Sequence, residues 1–179
     1  MPNYRRAWAA GGTFFFTTAL AERRSSLLTN NIALLRKAFT VARQARPFRI
    51  DAIVVLPDHL RCIWTLPHDD KDFATRWAHV KSAFSRALPQ THRRNGSQIL
   101  RREKGIWQRR YWEHLIRDEA EFRSHIDYVH FNPIKHGHAR CVADWPWSSF
   151  HRYVRTGVLT SSWGGTEVDC AGDASEPVG

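Results

Sequence analysis

Two runs rich in β-branched and aromatic residues, FRIDAIVVL at Phe48–Leu56 and LRCIWTL at Leu60–Leu66, are joined through Pro57 and Asp58. A connection this tight turns the chain straight back, so the two runs form a hairpin, and the rest of the chain must build around it. Upstream, Gly11 and Gly12 lead into TFFFTTAL, a first strand at Thr13–Leu20. Between that strand and the hairpin, Leu28, Ile32, Leu35 and Phe39 recur at helical spacing, which predicts a helix over Ser25–Arg46 capped at Thr29 or Asn30 and stopped by Pro47. After the hairpin, Phe73, Trp77, Val80 and Phe84 predict a second helix over Asp70–Leu88.

The stretch Pro89–Gly105 loses periodicity and gathers arginines, as a basic loop does. A fourth strand is expected over Ile106–Ile116, then a helix capped by Asp118 that Pro133 ends near Asn132, then a short closing helix at Trp147–Val154. The order β-α-β-β-α-β-α predicts an α+β fold: a ferredoxin-like antiparallel sheet with helices packed on one face. The 179 residues suit one domain, placed at 1–157, with the Gly-, Ser- and acid-rich stretch 158–179 expected to be a tail that does not fold.

Charge narrows the partners. The formal net charge is +10, with arginine well ahead of lysine, and a chain this basic meets a polyanion, most commonly nucleic acid. Cys62, Cys141 and Cys170 are scattered, with no CxxC pair, so neither a zinc knuckle nor a disulfide framework is suggested. A reducing cytoplasm fits that usage, and no apolar run is long enough for a signal peptide or a membrane span.

Three groups of residues carry chemistry. Alternation along the third strand points His59, Arg61 and Ile63 to one face and Leu60, Cys62 and Trp64 to the other. A His-x-His pair on a strand converges on a divalent metal, but Arg61 has no lone pair to offer. On residue chemistry alone, a histidine such as His59 is more often hydrogen-bonded or capping than a ligand. In the last long helix, Glu121, His125, Tyr128 and Asn132 make a polar stripe beside the apolar Phe122, Ile126 and Val129. A phenol at that margin is either a border tyrosine with a wet hydroxyl or a nucleophile toward a phosphodiester.

The third group is basic: Arg93, Arg94, Arg101, Arg102, Lys104, Arg109 and Arg110, with Trp107, Tyr111 and Trp112 interleaved. Cations for the backbone and rings for unstacked bases are what single strands require, although a solvated loop has the same composition. Lys135 and His136, after the helix, also reach phosphate.

The segments NYRRAW, GGTFFFTT, PFRIDAIVVLPDHLRCIWTLP, GIWQRRYWEHLIRDE, HIDYVHFNPIKHGHA and DWPWSSFHRYVRTG, in this order, closely resemble the REP-associated tyrosine transposases, single-tyrosine enzymes of the HUH endonuclease superfamily. The resemblance spans about Asn3 to Gly157. It implies a ferredoxin-like domain that binds and cleaves single-stranded DNA hairpins at REP sequences. It further implies a divalent ion, Mg²⁺ or Mn²⁺, and attack by the tyrosine to leave a 5′-phosphotyrosine and a free 3′-hydroxyl.

By position, the resemblance makes Tyr128 the nucleophile, His59 the first metal ligand and Asn132 an amide ligand. Where the family motif is DHLH, this chain reads DHLR. Arg61 therefore withdraws a donor and brings a cation, so weakened metal binding and slow or absent cleavage are expected while hairpin binding survives. The resemblance leaves both a monomer and a homodimer open.

Overall fold

The computed structural model describes residues 9–89, 96, 100 and 104–165. Four strands, β1 (Thr13–Ala19), β2 (Arg49–Val55), β3 (His59–Thr65) and β4 (Trp112–Ile116), form one antiparallel sheet in the order β2-β3-β1-β4. The helices are α1 (Leu27–Asn30), α2 (Ile32–Ala45), α3 (Phe73–Ala87), α4 (Glu119–Lys135) and α5 (Phe150–Arg155), with a 3-10 turn at Val142–Asp144. The hairpin is present as β2 and β3, and β3 inserts between β1 and β2, which is the split βαβ plan. The expected antiparallel α+β architecture is therefore met.

The two crossover helices, α2 and α3, lie on the same face, as right-handed crossovers require. They bury Phe14, Phe16, Leu60, Cys62 and Trp64 together with Leu35, Phe39, Trp77 and Phe84. Helical cover is not confined to that face. Phe15, Ala52, Val54 and Ile63 make the opposite face apolar as well, and α4 closes it with Ile126 and Val129. The run Phe14-Phe15-Phe16 is the local reason. A strand with aromatic residues on both faces needs cover on both sides to remove them from water.

Three boundaries correct the sequence reading. First, β4 begins only at Trp112, and the segment before it meets the end of β1 through the isolated bridge of Leu20 to Trp107 and the Gln108 N–H bonded to the Ala19 carbonyl. Second, Pro133 does not end the helix but lies inside α4, in its last turn. The stop is Gly137, with φ +69: its N–H bonds to the Ile134 carbonyl at 2.9 Å, and the His138 N–H bonds to the Pro133 carbonyl at 2.8 Å. That pair of bonds is a Schellman close, which a glycine in the left-handed region makes cheap. A Cβ at this position would meet nothing within 4 Å, so Gly137→Ala carries only the conformational cost. A loss of about 1 kcal/mol is expected, lowering Tm by about 2–4 °C in calorimetry.

The third correction concerns the domain end. The chain continues in packed structure beyond Gly157, where the Trp163 ring lies 6.1 Å from Phe150 and 6.2 Å from His130. The described residues run to Gly165, and the rest of the expected tail, 166–179, lies outside them. Cys62 is a free, fully buried thiol, and Cys141 is buried as well. Among the described residues, no helix is long and apolar enough to cross a membrane.

The closing segment is clipped to edge strand β2. Ser149 Oγ accepts from the Ile53 N–H at 2.9 Å and pairs with His130 Nε2 at 2.9 Å, and the Trp145 indole donates to the Val55 carbonyl. Burial pushes the His130 pKa from 6.5 down to about 4. Above pH 6.5 neither the folded nor the unfolded chain protonates this ring, so it has no effect there. Between pH 6.5 and 4 the unfolded chain takes up the proton and the folded one resists it, so stability falls with pH, by about 3 kcal/mol at most. Urea denaturation across this window should show the loss, and His130→Asn should flatten it.

Candidate active site

The strand alternation carries His59 and Arg61 onto the α4 face. Cross-strand register sets Thr17 opposite Arg61 and Ala19 opposite His59, while Ile63 of the same strand joins the core beneath α4. His59 is almost fully buried, and its Nδ1 lies 2.7 Å from Asp58 Oδ1. Asp58 in turn receives Arg23 Nε at 3.0 Å. A carboxylate on Nδ1 fixes the tautomer that leaves Nε2 with its lone pair, and that Nε2 is buried with no hydrogen-bond partner. Burial holds the His59 pKa below its ordinary value, against the opposing pull of Asp58, so the ring is neutral at pH 7.

Tyr128 faces this strand from α4. Arg61 Nη1 donates to the Tyr128 hydroxyl, and the guanidinium carbon lies 4.7 Å from the centre of the Tyr128 ring. Lys135 Nζ lies 4.8 Å from the same ring. One phenol is thus held by a hydrogen-bonded arginine and a neighbouring ammonium, an arrangement that draws in an anion. His136, next along, sets its ring 5.0 Å from His59. Burial, followed by the nearby Arg61 cation, pushes the His136 pKa down. Lys135 and His136 reach the site because α4 runs on through Pro133. Had the helix stopped at Asn132, neither would be placed there.

Asn132 is also buried, and its amide nitrogen and oxygen both lack partners. His59 Nε2 and the Asn132 carbonyl are thus two neutral donors without a hydrogen-bond partner in the protein. The position between them in the motif is taken by Arg61, which is already committed to Tyr128. Among the described residues no group of three or more His, Cys, Asp or Glu side chains could hold a metal ion. This donor set does not fit a resident Mg²⁺ or Mn²⁺, which take mainly oxygen ligands and are repelled by a fixed cation.

The basic and aromatic candidates divide between the two faces. Lys104, Trp107 and Arg109 line a cleft of about 570 Å³ against α3, together with Lys81 and Arg86, on the side of the sheet away from Tyr128. Lys104 Nζ donates to the Leu88 carbonyl at 2.8 Å, and the Trp107 ring packs on Phe84. Arg110 is exposed. Tyr111 is turned into the core, with its ring 5.8 Å from Trp77 and 6.1 Å from Phe16. Arg93, Arg94, Arg101 and Arg102 lie outside the described residues.

The sequence reading passed over Asp58, which orients His59, and His114, which shares the Tyr128 face with Trp112. Asp58 had a signal in its adjacency to His59. His114 had one in β4, where counting back by twos from the buried Ile116 gives its face and that of Trp112.

Fold and site together define an α+β antiparallel-sheet domain that presents an arginine-bound tyrosine in an open cleft on the sheet face. No family model matches the chain. It is, however, 45% identical over 169 residues to the REP-associated tyrosine transposase of Escherichia coli (strain K12), covering 94% of each chain. It is also 45% identical over 166 residues to a putative REP-associated tyrosine transposase of Haemophilus influenzae, covering 92% of this chain and 94% of that protein. A solved structure of a REP-associated tyrosine transposase bound to a REP hairpin superposes with a TM-score of 0.81 at 44% identity, covering 98% of this chain and 94% of that one. The chain belongs to the REP-associated tyrosine transposases, and it is an enzyme of the transposase class.

Proposed function

We propose that this chain binds single-stranded DNA hairpins of the REP type and opens a phosphodiester beside them with Tyr128. The observation that carries the reading is the arginine-bound Tyr128 hydroxyl, flanked by Lys135, in an open cleft. Support for the substrate comes from the 44% identical relative solved with a REP hairpin, and from a net charge of +10. The Tyr128 oxygen attacks phosphorus and gives up its proton. The P–O3′ bond breaks, the 3′-oxygen leaves as a hydroxyl after taking up a proton, and a 5′-phosphotyrosine remains. Arg61 and Lys135 stabilise charge on the phenol and on the phosphoryl oxygens.

Family membership suggests a divalent-metal requirement, and with Arg61 at the second ligand position no step here is assigned to the ion. The same arginine favours a second reading, a hairpin-binding module that turns over slowly, because a guanidinium lacks the charge density of a divalent cation.

The test incubates labelled single-stranded hairpin with the full chain in Mn²⁺, Mg²⁺ or EDTA and resolves covalent protein–DNA product. A covalent band that persists in EDTA supports cleavage carried by Arg61. Tight hairpin binding without any band supports the slow module, and the absence of binding overturns both. Affinity should fall steeply with salt, and replacing Arg101 and Arg102 by Ala should reduce that slope by up to about 2 in log–log terms.

A further inference from the structure

Trp112 is 49% exposed on the described surface, an unusual state for the largest apolar side chain. It is nonetheless held in place. Its ring stacks on His114 at 5.6 Å and 4°, His114 stacks on His125 at 5.2 Å and 14°, and Phe15 meets the indole edge-on at 5.6 Å. His114 is pinned in turn, because its Nε2 lies 2.5 Å from Glu121 Oε1 while Glu121 Oε2 accepts the Arg117 N–H at 2.8 Å. Asp118 caps the same turn of α4 through the Glu121 N–H. An exposed indole backed by two near-parallel imidazoles is a flat face whose ordering cost has been met by folding.

Register explains its position. Thr17 pairs with Trp112 in β1–β4 and with Arg61 in β1–β3, so all three side chains share one face of the sheet. Trp112, Thr17, Arg61, His125 and Tyr128 line one cleft of about 420 Å³. Its walls therefore combine a planar aromatic face with a hydrogen-bonded phenol and a guanidinium. That is the chemistry of one nucleotide: a ring to stack, and an anionic phosphate to hold.

We infer that the Trp112–His114–His125 stack is a platform for one unpaired nucleobase, the one next to the phosphate presented to Tyr128. The occupant is a base of single-stranded DNA rather than of a duplex, since a paired base has both its faces already stacked. The platform rests on the hairpin-binding reading above and adds to it a specificity element, because stacking strength rises with ring size and a purine is held better than a pyrimidine.

The test uses the full chain and a labelled single-stranded hairpin with an unpaired flank, carrying an abasic residue at each flank position in turn. Trp112→Ala removes the face, Trp112→Phe retains a smaller one, and thermal denaturation confirms that both fold. At one flank position the abasic residue should weaken wild-type binding about tenfold or more and leave Trp112→Ala nearly unaffected, with Trp112→Phe between them. If every abasic position costs wild type and Trp112→Ala equally, or none costs wild type anything, the platform is overturned while hairpin binding stands. If wild type binds no hairpin at all, the functional reading fails and the platform with it.

Discussion

Tyr128→Phe is expected to abolish the covalent protein–DNA product, lowering its rate of formation by at least about 10³-fold, because no other group replaces the attacking oxygen. Hairpin affinity should change little. The phenyl ring that remains keeps the place of the Tyr128 ring, 5.9 Å from Phe15 and beside the Lys135 ammonium. What the variant loses is the acceptor for Arg61 Nη1, a stability cost of about 1 kcal/mol at this half-buried position. Single-turnover gel assays beside equilibrium binding separate the two effects. A covalent band of undiminished intensity in Tyr128→Phe would transfer the nucleophile's role elsewhere, and a parallel collapse of binding would make Tyr128 a structural residue.

Arg61→His carries the second large effect, and in the opposite direction. The substitution removes a fixed cation and supplies an imidazole lone pair on the face that already holds the partnerless His59 Nε2. At about 4 Å separation, a divalent ion and a guanidinium repel by several kcal/mol even at an effective dielectric of 20. Relieving this should raise Mn²⁺-dependent cleavage by tenfold or more. It should also produce a Mn²⁺-induced increase in Tm that the wild-type chain lacks, a readout independent of activity. An unchanged Tm in Arg61→His with Mn²⁺ would show that the face cannot gather enough donors even without the cation. The variant should also lose whatever cleavage persists in EDTA, since Arg61 then no longer holds the phenol.

The two substitutions test one geometric fact from both sides: a phenol on α4 and a guanidinium on β3 share a hydrogen bond. Much of that fact was legible beforehand. The period of two along β3 sets His59 and Arg61 on one face whatever the fold, and the spacing of Ile126 and Val129 sets Tyr128 at the margin of the α4 apolar stripe. Reading β4 with the same alternation separates Tyr111, which packs on Trp77, from Trp112, which emerges in the cleft. Grouping Tyr111 with the DNA-binding residues followed composition where parity was the better guide. The misplaced helix stop at Pro133 has a different cause. Proline excludes a donor only from its own nitrogen, so a proline near the end of a helix removes one bond, while the glycine four residues later closes the turn.

From sequence alone follow the strand hairpin, the crossover helices and the faces of their side chains, because these depend on local periodicity and on the short connection at Pro57-Asp58. The substitution of arginine for the family's second histidine was equally visible, since it is a matter of residue identity. The tertiary structure alone decided that α4 covers the second face of the sheet, that Arg61 spends its hydrogen bond on Tyr128, and that Lys135 and His136 close around the same site. The contacts of Arg61 with Tyr128 and of His59 with His136 join residues far apart along the chain, and no periodicity encodes them. They form because both faces of an aromatic-rich sheet must be removed from water, and the helix that covers the second face brings its polar margin with it.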